Sequence, residues 1–213
     1  MTISCNGEEL ILNKERAIYW PAKEMLIISD LHIGKSAHFR KHGIQVPANI
    51  GNDDLERLGK LIGFYDPKTL VITGDMFHHK INSDVTLFSE WRKKFGGLKI
   101  SLIKGNHDLL KSQEYQSLNI DLIPRELISA PFRLIHEQPK SLEKDEYYTI
   151  SGHIHPGVTI YGKARQRLNL PCFYFGEHHA VLPAFSAFTG LSRIQPEKND
   201  RFYAITPSGI IAV

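Results

Sequence analysis

Apolar residues along this chain gather in short dense runs rather than in long stripes. "ELILN" (9–13), "AIYW" (17–20), "MLIIS" (25–29), "TLVITG" (69–74), "KISLIKG" (99–105), "FRLIHE" (132–137), "YYTISG" (147–152), "CFYFG" (172–176) and "FYAIT" (202–206) are mostly rich in β-branched or aromatic residues and bounded by Gly, Asn, Asp or Pro. That combination predicts strands. Helical spacing occurs in two places. Over 52–65, Leu55, Leu58, Leu61, Ile62 and Tyr65 recur three or four residues apart, behind Asn52 or Asp53 as an N-cap. Over 83–97, a helix is expected to open at Ser83 and stop at Gly96-Gly97. The first half therefore alternates strand and helix, as βαβ units do, while the second is mostly strands joined as hairpins. Two packed sheets with helices outside them accommodate both halves. "KSLEKDEYY" (140–148) reads as an exposed polar excursion. No repeat, low-complexity stretch or linker divides the chain, so residues 1–213 read as one domain.

Composition narrows the class. With 42% apolar residues among 213, the chain can build an ordinary core. The net charge of +3 permits a polyanionic partner without arguing for one. Cys5 and Cys172 are the only cysteines and form no CxxC, which excludes a disulfide framework and a thiolate zinc site. Charged residues crowd the N-terminus, and no uncharged apolar run reaches about 18 residues. A cytoplasmic protein without a membrane anchor is the expectation.

Candidate chemistry lies at the ends of the strands. "MLIISDLHIGK" ends in Asp30 and His32, "TLVITGDMFHHK" in Gly74-Asp75, and "KISLIKGNHD" in Gly105-Asn106-His107-Asp108. "FRLIHE" ends in His136 and "YYTISGHIHPG" in His153 and His155. Taken alone, the HxH of "SGHIHPG" could be a metal-ligand pair, a catalytic pair or a polar spot beside a turn. Asp, Asn and Gly punctuate turns, and that explains any single strand end. It does not explain five ends that all supply N or O donors at the edge where open α/β sheets bind ligands. The set has no thiolate, which argues against structural zinc, and too much imidazole for calcium or a lone magnesium. Two Asp, one Asn and four His, leaving aside His107 and Asp108, make seven donors, too many for one catalytic ion with an open position. They suit two ions about 3.5–4 Å apart that share a carboxylate. Manganese, iron and zinc are the metals such ligands favour.

The order DxH, GD, GNHD, H, GHxH, spanning residues 30–155, resembles the calcineurin-like metallophosphoesterase family. The resemblance implies an α/β fold, a four-layer αββα sandwich with two mixed β-sheets inside and helices outside. It implies two divalent ions, manganese first, with iron or zinc as alternatives. Asp30, His32, Asp75 and His155 would hold one; Asp75, Asn106, His136 and His153 would hold the other, with Asp75 bridging. His136 is followed by Glu137, where many relatives carry glycine. His107 would protonate the leaving oxygen or stabilise the transition state, and Asp108 would orient it and raise its pKa. No protein nucleophile is needed, and the chain has neither a GxSxG elbow nor a P-loop.

Two further stretches, "SDLHIGKSAHFRKHGIQVP" (29–47) and "VLPAFSAFTG" (181–190), look like the bacterial DNA-ligase-associated metallophosphoesterases. That narrower resemblance implies a phosphodiesterase or endonuclease acting on DNA in repair. An ATP-dependent DNA ligase and a helicase are then the candidate partners. Lys35, His38, Arg40 and Lys41 after the first motif, and His78 and His79 after the second, would form a positive rim for a phosphodiester backbone. Each of them alone reads as a solvated loop residue. The run Phe173, Tyr174, Phe175 reads as core and edge rather than as a base-stacking platform. Two other functions fit the same centre: a phosphoesterase for small nucleotides or phosphomonoesters, and a non-catalytic scaffold. The full donor set and His107 disfavour the scaffold.

Overall fold

The computed structural model describes residues 1–35, 50–77, 83–138, 146–162 and 166–213. Two β-sheets pack face to face. The first holds β1 (Thr2–Cys5), β2 (Glu8–Asn13), β3 (Ala17–Trp20), β4 (Met25–Ile28), β5 (Thr69–Ile72), β6 (Lys99–Ile103) and β7 (Ile120–Ile123), in that spatial order. Strands β1 to β4 form an antiparallel meander, and β4 to β7 run parallel. Helices α1 (Ile50–Tyr65), α2 (Ser83–Arg92) and α3 (Ser112–Ser117) lie on the crossovers between the parallel strands.

The second sheet holds β8 (Glu126–Ser129), β9 (Phe132–Ile135), β10 (Tyr148–Ser151), β11 (Pro156–Tyr161), β12 (Arg167–Phe175), β13 (His179–Val181), β14 (Ser192–Arg193), β15 (Arg201–Thr206) and β16 (Gly209–Ala212). Its main path runs β14-β11-β12-β13-β10-β9-β8, with β15 pairing β12 and β16. Strand β10 is parallel to both of its neighbours, β9 and β13, within an otherwise mostly antiparallel sheet.

Strands β4 and β5 are nearly continuous apolar runs because both of their faces are buried. Alternate residues serve different layers. On β4, Leu26 and Ile28 pack with the helices, while Met25 and Ile27 face the second sheet. On β5, Leu70 and Ile72 join the helix side and Val71 the inter-sheet side. The helices return Leu55, Leu58, Leu61, Ile62, Phe88, Trp91 and Tyr115 to that layer. Between the sheets, Trp20, Ile27 and Ile103 meet Phe132, Ile150, Phe173 and Phe175. Trp20 sets its ring edge-on to Phe132 at 4.8 Å, and its indole N–H donates to Glu8 at 2.7 Å, so its one polar atom is satisfied.

The sandwich of two mixed sheets expected from the sequence is present, and the α-helices among the described residues all pack on the first sheet. The outer face of the second sheet carries Cys172, Tyr174, Val181 and Phe202, covered by Ile154, Val158 and Ile194. Phe173 and Phe175 point inward and Tyr174 outward, all buried, as expected of core rather than of a stacking platform.

The expected helix at 83–97 divides: α2 ends at Arg92 and a 3-10 turn covers Lys93–Phe95. Arg92 stays buried there because its guanidinium caps the carbonyls of Phe95 and Leu98. Strands β1, β7, β8, β11, β13, β14 and β16 and helix α3 had no distinct sequence signal. They are short or half-exposed, and "PGVTIY" opens on residues that usually break strands. The polar excursion at 140–148 lies mostly outside the described residues.

Phe132 is fully buried between the sheets. Phe132→Ala should lower stability in denaturant by about 3–5 kcal/mol, because the cavity opens where neither sheet can collapse. The exposed Tyr161→Ala should change it by less than about 0.5 kcal/mol. Equal losses for the two would place the core elsewhere.

Candidate metal centre

Five parallel strands deliver the donors. Strands β4, β5 and β6 of the first sheet run into Asp30-Leu31-His32, Gly74-Asp75 and Gly105-Asn106-His107-Asp108. Strands β9 and β10 of the second run into His136 and His153-Ile154-His155. The ladder continues past the strands: Asp30 N–H donates to Gly74 O at 3.2 Å and His32 N–H to Asp75 O at 2.9 Å. Within the second sheet, Gly152 N–H donates to His136 O at 3.0 Å; across the seam, Phe185 N–H donates to Ser29 O at 2.7 Å. The segment after β13 thus ties the second sheet to the first. Arg16 holds the carbonyls of Ala184 and Ser186, and Arg57 that of Phe185.

At these ends the backbone turns left-handed. Asp30, His32, Asp75, His153 and His155 all have φ between 49° and 69°. Asn, Asp and His tolerate this region better than most residues, yet each instance costs free energy that the surroundings must offset. The turn lets residues one apart aim inward around a tight bend.

Two groups of donor atoms result. Asp30, His32 and His155 form one, and Asp75, His136 and His153 the other; within each, the donor atoms lie within 4.8 Å of one another. Asp30 Oδ1 is 3.3 Å from His155 Nε2 and 4.0 Å from His32 Nε2. Asp75 Oδ1 is 3.5 Å from His136 Nε2, which is 3.2 Å from His153 Nδ1. His153 and His155, neighbours in sequence, therefore belong to different groups.

The surroundings fix each donor. His136 Nδ1 lies 2.9 Å from the carbonyl oxygen of Thr73, which can only accept, so Nδ1 carries a proton and Nε2 is turned toward Asp75. Asp30 Oδ2 accepts from the Ser29 hydroxyl and from His153 N–H at 3.0 Å. Burial works against the charge on Asp30, but His155 and the Ser29 hydroxyl outweigh it and hold its pKa below the ordinary carboxylate value. Asp75 Oδ1 accepts from His107 N–H at 2.9 Å.

The residues fit divalent cations. Asp30 Oδ1 and His155 Nε2 are buried and neither makes a hydrogen bond, although such atoms nearly always do. A cation between them would compensate both. The mix of carboxylate and imidazole, without thiolate, suits manganese, iron or zinc. Asn106 is exposed and lines a cleft together with His136.

His107 is exposed at the mouth, its ring edge-on to that of His32 at 5.6 Å. Asp108 is fully buried, and its carboxylate accepts from the N–H groups of Met76 at 3.0 Å, Phe77 at 3.1 Å and Gly105 at 2.9 Å. It braces the loop after β5 against the loop after β6. Burial nonetheless pushes its pKa above the usual carboxylate value, more than those N–H groups pull it down.

Lys35 is half-buried and borders a hollow of about 310 Å³ with Phe188 and Thr189. Burial lowers its pKa against the pull of Asp30 and Asp75. His38, Arg40, Lys41, His78 and His79 lie outside the described residues. His178 is exposed and His179 begins β13, away from both donor groups.

Sequence reasoning missed Ser29 and Thr73. Ser29 carries a hydroxyl just before the first motif, a signal that could have been read. Thr73 acts through its backbone carbonyl, which leaves no trace in residue type. Glu137 was noticed only as a departure from glycine; its Oε1 lies 3.9 Å from His153 Nε2.

The comparisons with known proteins agree with this geometry. Residues 24–169 match the model of the calcineurin-like phosphoesterase family. Among solved structures, the nuclease MPE of Pseudomonas putida is 34% identical, with a TM-score of 0.79 and 96% of each chain covered. The phosphoesterase YfcE of E. coli is 15% identical, with a TM-score of 0.48 over 89% of this chain and 97% of that one. A protein of unknown function from Aquifex aeolicus is 19% identical, with a TM-score of 0.40 over 66% and 81%. Nothing among curated proteins matches the chain significantly. Five strand ends in the family's order, the family match over most of the chain and a third of residues shared with a solved nuclease converge: this chain belongs to the calcineurin-like phosphoesterases and is a metal-dependent phosphoesterase.

Proposed function

We propose that the chain is a two-metal phosphodiesterase that cleaves nucleic acid, DNA first. The observation that carries this is the pair of adjoining donor groups, Asp30-His32-His155 and Asp75-His136-His153, beneath an exposed His107. The likeness to a nuclease along nearly the whole chain supports nucleic acid over a small ester. Asp30, His32, His155 and Asp75 would hold one divalent ion; Asp75, Asn106, His136 and His153 the other. Bound there, two such ions, manganese by preference, offset charge on a phosphate and lower the pKa of water.

The chain itself supplies position and a proton. The Thr73 carbonyl and the Ser29 hydroxyl orient His136 and Asp30. Asp108 keeps the loops that carry Asp75 and Asn106 in register. His107, anchored by its own N–H to Asp75, holds an imidazole at the open side, where it gives a proton to the leaving oxygen. A place in DNA repair, with an ATP-dependent DNA ligase and a helicase as partners, goes with this reading, supported by the stretches 29–47 and 181–190.

A substrate panel with manganese tests it: supercoiled DNA, single-stranded DNA, a bis-aryl phosphodiester and an aryl phosphomonoester. Cleavage of either DNA and of the diester is expected. Turnover confined to the monoester would replace this reading with a small-molecule phosphoesterase.

Asp75→Asn should leave under about one equivalent of metal by elemental analysis, against about two for the unaltered protein, because a shared carboxylate loses its charge. Two equivalents retained would sink the bridging role. His107→Ala should keep both metals and lose roughly 10²–10⁴ in rate on DNA. The loss should shrink on a diester with an activated aryl leaving group, which needs less help from a proton. An equal loss on both substrates would give His107 another task.

A further inference from the structure

A cleft of about 440 Å³ opens directly off the centre and shares Asn106 and His136 with it. It lies where the chain passes from the first sheet to the second, between the ends of β6 and β7 and the hairpin β8–β9. Three cations line it: Lys104, Arg125 and Arg133. Arg133 is half-buried and held in place. Its Nη2 donates to the Thr149 hydroxyl at 3.1 Å, and its Nε lies 3.9 Å from Glu126 Oε2. Lys104 and Arg125 are exposed, and no carboxylate among the described residues pairs with either side chain. Two carboxylates share the cleft: Glu126 faces Arg133, and Glu137 lies nearest His153. Among the described residues, neither forms an ion pair with Lys104 or Arg125.

We propose that this cleft seats the backbone phosphates of a nucleic-acid strand on one side of the bond being cut, with Lys104 and Arg125 as the phosphate contacts. The inference rests on the nucleic-acid reading above and adds the direction in which the strand leaves the centre. Unpaired cations beside a hydrolytic centre gain most from a ligand with regularly spaced anions, because each contact releases condensed counterions. The described lining contains no Phe, Tyr or Trp, so it offers no platform on which bases could stack. Contact is therefore with the backbone, and cutting follows the strand without regard to sequence. The volume suits a short stretch of one strand and not a duplex.

The test measures kcat/KM with manganese against salt, on a single-stranded oligodeoxynucleotide and on a bis-aryl phosphodiester. It compares the unaltered protein, the pair Lys104→Glu with Arg125→Glu, and the control Lys94→Glu. Lys94 is exposed on the turn leading into β6, at the end of that strand opposite Lys104. Two lost phosphate contacts on a single strand should lower the slope of log kcat/KM against log salt by about 1.4. The ratio of oligonucleotide to diester activity should fall with it, and the control should keep the original slope. An unchanged slope in the cleft pair would overturn the inference while the nucleic-acid reading stands. Equal losses on both substrates would overturn it too, by showing that the pair supports the centre's structure. If the unaltered protein cuts the diester but no oligonucleotide, the nucleic-acid reading itself has failed. Should the reversed pair not fold, Lys104→Gln with Arg125→Gln gives the same comparison with a smaller shift, still set against an unchanged slope.

Discussion

Asp30 and Asp75 are buried side by side at the seam between two sheets, where a carboxylate is costly unless it is compensated on every side. Much of the surrounding architecture answers that need. Backbone N–H groups of His153 and His107 point at the two carboxylates, and each carboxylate has imidazole on its remaining side. These N–H groups come from loops on different sheets, so neither sheet could build the centre alone. The inter-sheet core around Trp20 and Phe132 sets how the two sheets meet, and with it whether the second sheet's histidines reach the first sheet's aspartates. Stability and chemistry are coupled at that seam: a change that lets the sheets slide would part the donor groups before it unfolded the chain.

Much of this was legible in the sequence. The strands that carry the donors are mostly buried and rich in apolar or β-branched residues, and each stops at its motif. Helix α1 announced itself by its Leu and Ile spacing, within two residues of its start. What escaped were elements whose residues face solvent on one side, such as β8 and β11, where periodicity is weak. The grouping of donors was accessible only through the family's pattern, since spacing alone could not say that His153 and His155 part company. The cleft cations were invisible for another reason. Lys104, Arg125 and Arg133 lie on three separate elements, and only the passage from β7 to β8 brings them together.

The division of labour between the sheets also orders the surface. The first sheet is sealed by helices and supplies both aspartates; the second supplies three histidines and, beyond them, the hairpin that walls the cleft. Among the described residues, no helix is long and apolar enough to cross a membrane. The chain's acidic and basic residues nearly balance, so the positive character of the cleft is local, made by the placement of a few side chains rather than by net charge.

Three positions with no side chain govern how closely all this fits. A methyl group on Gly74 would overlap the His136 ring, one on Gly105 would overlap the backbone and carboxylate of Asp75, and one on Gly152 would overlap the Ser29 hydroxyl. Each glycine sits one or two residues from a donor yet is crowded by a neighbour from a different strand. Moving the centre to another scaffold by copying only its donor residues would therefore fail. The graft would also have to copy the places where the chain carries nothing at all, because those gaps let the strands come close enough for the donors to share one small volume.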